Sequence, residues 1–113
     1  MKREIKFRFY DLQLKKISYR EPNTNDFIHP KIVPMQYTGL KDKNGKDIYE
    51  GDFCKNECNE TGSVYFSNGS FCLGYFDEPA KQDLSDFKKY NKENTSLEIV
   101  GLRSFINEIN EIQ

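Results

Sequence analysis

Only one alanine, Ala80, occurs in 113 residues. Alanine is the best helix former, so a helical bundle is a poor fit. No window approaches the ~20 apolar residues that a membrane-spanning helix needs, and no membrane partner is expected. The opening Met1-Lys2-Arg3-Glu4-Ile5-Lys6-Phe7-Arg8 is charged and alternating. It lacks the apolar run and small-residue site of a secretory leader, which points to the cytosol. Three cysteines at irregular spacing, Cys54, Cys58 and Cys72, make a poor disulfide framework. They read as reduced, partly buried thiols.

Recognisable chemistry is equally scarce. Nucleophilic catalysis needs a nucleophile, a base and an orienting group, and His29 is the only histidine. It sits beside Pro30 in an irregular stretch and reads as a surface residue. With the three cysteines it matches zinc in number, but two paired ligand clusters are missing. No metal and no cofactor is expected. The close acidic pairs Asp77-Glu78 and Asp83/Asp86 lie on a polar, lysine-rich segment. Solvation explains them more simply than glycosidase carboxylates on facing walls of a cleft. Neither G-x-x-x-x-G-K-[ST] nor G-x-G-x-x-G occurs, so nucleotide binding by those loops is unsupported. The expectation is a protein that is not an enzyme.

What is present is β-forming. Phe, Tyr, Ile and Val are plentiful and suit a pleated, half-buried surface. In 3–10, Ile5, Phe7 and Phe9 alternate with Lys6, Arg8 and Tyr10, the period of a strand with one covered face. Residues 17–20 return as its hairpin partner. Pro22, Pro30 and Pro34 predict an irregular loop over 21–34, because proline cannot donate to a ladder. A short extended segment follows at 35–39, then a polar turn containing Asn44-Gly45. Residues 48–55 read as a turn feeding a strand. Residues 62–67 and 70–76 flank Asn68-Gly69, the clearest hairpin in the chain. Leu84, Phe87 and Tyr90 allow a short surface helix within 77–96, capped by Asp83 or Ser85. Residues 97–102 form a last strand, and the tail from Ile106 to Gln113 reads equally as strand or helix.

Such an order of short strands and tight turns suits a small SH3-like β-barrel, whose closure removes exposed edges. The predicted fold is mostly β: a barrel with an N-terminal β-hairpin extension and a short helical or irregular insertion. One domain over 1–113 is expected, with 1–47 holding the hairpin, loop and signature turn, and 48–113 the barrel and tail.

Gln36-Tyr37-Thr38-Gly39-Leu40-Lys41-Asp42-Lys43-Asn44-Gly45-Lys46-Asp47-Ile48-Tyr49-Glu50-Gly51-Asp52 resembles the signature of the YopX family of phage and prophage proteins. Ile5-Lys6-Phe7-Arg8-Phe9-Tyr10-Asp11 resembles that family's opening strand, which more often ends Arg-Ala-Trp-Asp. Leu97-Glu98-Ile99-Val100-Gly101 is similar to its closing Glu-Val-Ile-Gly. The usual Gly-Asn-(Ile/Val)-Tyr-Glu-Asn ending is largely replaced here. The resemblance implies a phage or prophage origin and an SH3-like barrel, and it implies no activity, because the family's function is unknown. The signature also makes sense as structure. Gly39, Gly45 and Gly51 supply backbone angles that other residues resist. Asp42, Asn44 and Asp52 bond to nearby backbone in turns. Tyr37 and Tyr49 bury a ring and leave a hydroxyl to be partnered.

Thirteen lysines against four arginines, with ten asparagines and nine isoleucines, favour A/T-rich codons and hence a low-GC bacterium or its virus. The net charge is −1, but residues 1–20 hold seven basic and two acidic side chains, and 77–113 hold eight acidic and five basic. That asymmetry suggests two roles. One is binding of single-stranded nucleic acid on a basic, aromatic surface, with Lys6, Arg8 and Tyr10 on one strand face and Lys2, Arg3, Lys15, Lys16 and Arg20 nearby. Tyr65, Tyr75 or Phe76 would add stacking surface. The other is a self-assembling or protein-interaction module that engages a host or phage protein. There the basic hairpin meets the acidic segment of another subunit, and Ile106, Ile109 and Ile112 form an apolar stripe.

Overall fold

The computed structural model describes residues 5–75, 81–88 and 94–102. The expectations for Lys2, Arg3, Phe76, Asp77-Glu78, Tyr90 and the isoleucines of the tail lie outside them.

The protein is mostly β, in two sheets. Strands β1 (Phe7–Asp11), β2 (Lys16–Tyr19), β3 (Ile32–Lys41) and β4 (Asp47–Tyr49) form a four-stranded sheet in the order β2-β1-β3-β4. Strands β5 (Asp52–Lys55), β6 (Thr61–Ser67), β7 (Ser70–Tyr75), β8 (Lys81–Asp83) and β9 (Glu98–Leu102) form a five-stranded sheet in the order β8-β7-β6-β5-β9. The two sheets join at the Glu50-Gly51 corner between β4 and β5, where Gly51 has φ +89°. Gly39 and Gly45 are likewise at positive φ, +87° and +86°, so the signature glycines stand where an L side chain is strained. The Asn68-Gly69 hairpin forms as expected, both residues at positive φ, which suits the twist of the flanking strands.

Both faces of β1 are covered, since Arg8, Phe9 and Tyr10 are all buried. Arg8 and Tyr10 are buried, at 5% and 1% exposure, beside Met35, Tyr37 and Tyr49. On the other face Phe7 and Phe9 pack against Phe27, with ring centroids 5.4 and 6.1 Å away.

The expected irregular loop over 21–34 is more ordered. Within 21–34 a helix, α1 (Thr24–Ile28), is held by a capping box. Asp26 N–H donates to the Asn23 side chain at 3.2 Å and Asn23 N–H donates to Asp26 Oδ2 at 2.8 Å. Reciprocal bonds of this kind satisfy two otherwise unpaired donors, so five residues suffice between Pro22 and Pro30. Strand β3 starts before the predicted extended segment and contains Pro34, opposite Phe9. Tyr37 N–H donates to Lys6 O, so by strand alternation the missing Pro34 donor falls on the side away from β1.

The expected short helix is a single four-residue 3-10 turn, Leu84–Phe87, and it follows β8, which pairs along β7. Asp83 takes the N-cap position without a side-chain cap bond; its carboxylate instead accepts from Ser70 Oγ at 3.1 Å and Cys72 Sγ at 3.6 Å. Leu84 anchors the turn in the larger core, with Ile48, Cys54, Val64, Phe71, Leu73 and Leu97.

Candidate functional site

The signature turn welds the sheets together. Asp42 is fully buried, and its Oδ1 accepts the Asn44 and Lys46 N–H groups, both at 2.9 Å. Its Oδ2 accepts Ile99 N–H from β9 at 3.2 Å. Thr38 Oγ1 donates to Ile48 O at 2.8 Å. At the corner, Asp52 Oδ2 accepts Tyr49 N–H at 2.9 Å, while Oδ1 receives Arg8 Nη2 at 2.6 Å. The Arg8 guanidinium also lies over the Tyr49 ring, 4.7 Å from its centroid. Burial pushes the Asp52 carboxyl above its ordinary value; Arg8 and the Tyr49 N–H oppose that shift. Strands β1 and β5 are thus joined by a desolvated ion pair, an arrangement whose broken half costs far more than the intact pair contributes.

Above this ion pair runs an open groove of about 1020 Å³ between the N-terminal sheet and β9. Its lining carries five basic side chains, Lys6, Arg8, Arg20, Lys41 and Lys46, against the acidic Glu21, Asp47 and Asp52. Tyr19 stands on the wall 65% exposed, its ring edge-on to Tyr49 at 5.8 Å. Arg20 is held in place by Asp26, with nitrogen–oxygen distances of 2.7 and 2.6 Å, and by stacking over Phe9 at 4.7 Å. Lys6 and Lys41 both reach Asp47.

The structure divides the residues that the sequence grouped. Lys6 faces the groove. Arg8 lines its floor but is committed to Asp52, so it is no freely exposed phosphate contact. Tyr10 is sealed in the core and presents no stacking surface. The cause is the same for both: β3 and β4 lay Met35, Tyr37 and Tyr49 over that face. Lys15 and Lys16 are exposed at the hairpin turn, at the far end of β1, roughly 13 Å from Phe7 at ~3.3 Å per residue. Tyr65 and Tyr75 lie on the other sheet, half-buried, and the Tyr75 hydroxyl accepts from Asn56 Nδ2 at 3.1 Å. Sequence reasoning passed over Tyr19, Lys41, Lys46 and Asp47 as groove residues. Nothing local marks them, since they meet only through the long-range pairing of β1 with β3 and the β4–β5 corner.

His29 ends α1, where its Nδ1 accepts Lys31 N–H at 3.1 Å. Cys54 and Cys72 are buried in the five-stranded sheet and Cys58 is exposed. Burial pushes the Cys54 thiol strongly up. Among the described residues no three His, Cys, Asp or Glu side chains gather as a metal site. No helix among the described residues is long and apolar enough to cross a membrane.

Comparison with curated proteins found no match. Among solved structures, the crystal structure of protein EF1440 from Enterococcus faecalis is similar, with a TM-score of 0.58. The alignment covers 96% of this chain and 97% of that one at 23% identity, a likeness of fold. The family described as YopX protein matches residues 2–102, a span that contains β1, the Gln36–Asp52 signature and β9. With nearly its whole length matched, the chain belongs to the YopX family.

Proposed function

We propose that this protein is a non-enzymatic phage or prophage accessory protein of the bacterial cytoplasm that binds single-stranded nucleic acid in the groove between its sheets. The observation that carries the reading is the groove itself, whose lining combines five lysine and arginine side chains, against three carboxylates, with one exposed aromatic, Tyr19. A positively charged track with a stacking platform is what single strands require. The strand order supports an SH3-like half-barrel for the second sheet. It is a meander from β5 to β8 whose first strand also pairs with the last, with a 3-10 turn before that last strand.

Fluorescence anisotropy with a labelled twelve-nucleotide oligo(dT), repeated at several salt concentrations, tests the reading. Lys46→Ala should lower the slope of log affinity against log salt by about 0.7, as for one lost single-strand phosphate contact. Tyr19→Ala should cost about 1–3 kcal/mol of stacking. The absence of salt-sensitive binding by the wild type removes the proposal. A second reading, docking of a host or phage protein or of a second copy, is favoured by the apolar surface that α1 leaves open at Phe27 and Ile28.

A further inference from the structure

Lys6, just before β1, and Lys41, at the end of β3, approach one carboxylate. Lys6 Nζ stands 2.7 Å from Asp47 Oδ2, and Lys41 Nζ stands 2.5 Å from Oδ1. Both ammonium groups also lie over the Tyr37 ring, 4.5 and 5.8 Å from its centroid. Both ammonium groups therefore meet on the Asp47 carboxylate, in a wall where the lysine side chains keep 36% and 32% of their exposure. Like charges held this close repel, so the cluster needs an anion between them. A carboxylate and a phosphodiester both present two oxygens and one negative charge. Asp47 thus has the charge and the bridging geometry of a backbone phosphate.

We infer that Lys6 and Lys41 form a phosphate subsite of the groove, and that Asp47 occupies it as an internal stand-in while the groove is empty. The inference rests on the groove reading above and adds the atoms that receive one phosphate. Asp47 keeps the two lysines gathered over Tyr37 and competes with the ligand for them. The Asp47 hydrogen bond also raises the pKa of the Lys41 ammonium above its ordinary value, against the opposing effect of burial. A nucleic-acid strand gains the subsite only by displacing or repelling the carboxylate, which weakens any single contact and favours strands that engage the whole groove.

Asp47→Asn keeps the shape and removes the competing charge. Against labelled oligo(dT) it should bind at least about fivefold tighter than wild type, the lower bound for removing a unit charge about 4 Å from the phosphate under full water screening. The salt slope should steepen by up to about 0.7, because in the wild type the displaced carboxylate takes up a cation that offsets the one released from the phosphate. Lys41→Ala should weaken binding and flatten the slope by a similar amount. Melting curves of each variant confirm that it is folded. If the wild type binds but folded Asp47→Asn binds no more tightly, the subsite is overturned and the groove reading stands. If the wild type binds no oligonucleotide, both fall together. Should Asp47→Asn unfold, Lys41→Ala decides alone, and an unchanged slope overturns the subsite.

Discussion

Replacing Asp42 by alanine strips three backbone N–H groups of their acceptor at once. Those of Asn44 and Lys46 lie in the exposed turn, and that of Ile99 belongs to β9. Hydrogen bonds to a charged group contribute about 1.5–3 kcal/mol each, and an unsatisfied buried donor costs about 1–3 kcal/mol. The two turn amides can recover water when the loop relaxes, so each is counted at the low end. The loss should then be about 4–5 kcal/mol, a large share of the 5–15 kcal/mol typical of a domain. Asp42→Asn is the sharper perturbation. Its one oxygen can still serve Asn44 and Lys46, but its amide nitrogen then faces the Ile99 N–H, donor against donor. That variant should lose about 1–3 kcal/mol, and the loss should centre on the attachment of β9. Urea unfolding followed by circular dichroism gives the totals, and amide exchange at Ile99 gives the location. An Asp42→Asn variant as stable as wild type, or one in which Ile99 exchange is unchanged, would refute the weld.

Thiol accessibility and acid stability follow from the same packing. In the native protein a thiol reagent such as DTNB should titrate one cysteine, Cys58, and three after unfolding, because Cys54 and Cys72 are buried; fast labelling of all three without denaturant contradicts the core packing. The Arg20 hydrogen bond holds the Asp26 carboxyl below its ordinary value. At Asp47 burial works against ionisation, but Lys41 and Lys6 outweigh it and the carboxyl is again lowered. Both contributions are complete above the unfolded value of about 3.9 and are lost as pH falls through the lower folded values. The urea midpoint should therefore drop below about pH 4, and Asp26→Asn should make that drop shallower; the same pH profile in the variant would contradict the pairing.

Local pattern was enough for much of the fold. The Asn68-Gly69 hairpin, the β1 strand and the β5 strand after Gly51 each depend on neighbours within a few residues, and each is present. That both faces of β1 would be buried was not legible. A strand carrying Lys6, Arg8 and Tyr10 opposite Phe7 and Phe9 normally buries the phenylalanines alone. Here Arg8 finds Asp52 forty-four positions away, and no local rule anticipates a buried cation whose partner sits at a distant sheet corner. Helix α1 hid behind its prolines, although Asn23 and Asp26 carry the spacing of a capping box. The groove was half legible, because the basic excess of 1–20 is real. Only the packing of the sheets decides that Lys6 and Arg20 join Lys41 and Lys46, while Lys15 and Lys16 remain at the far end of the hairpin.

The central claim is that the ligand sits between the sheets, and amide chemical-shift mapping with unlabelled oligo(dT) tests it directly. The account predicts saturable shifts at Lys6, Tyr19, Arg20, Lys41 and Lys46, fading as salt is raised, with Lys15 and Lys16 unmoved. Shifts confined to the hairpin tip, or none at any oligonucleotide concentration, would contradict it.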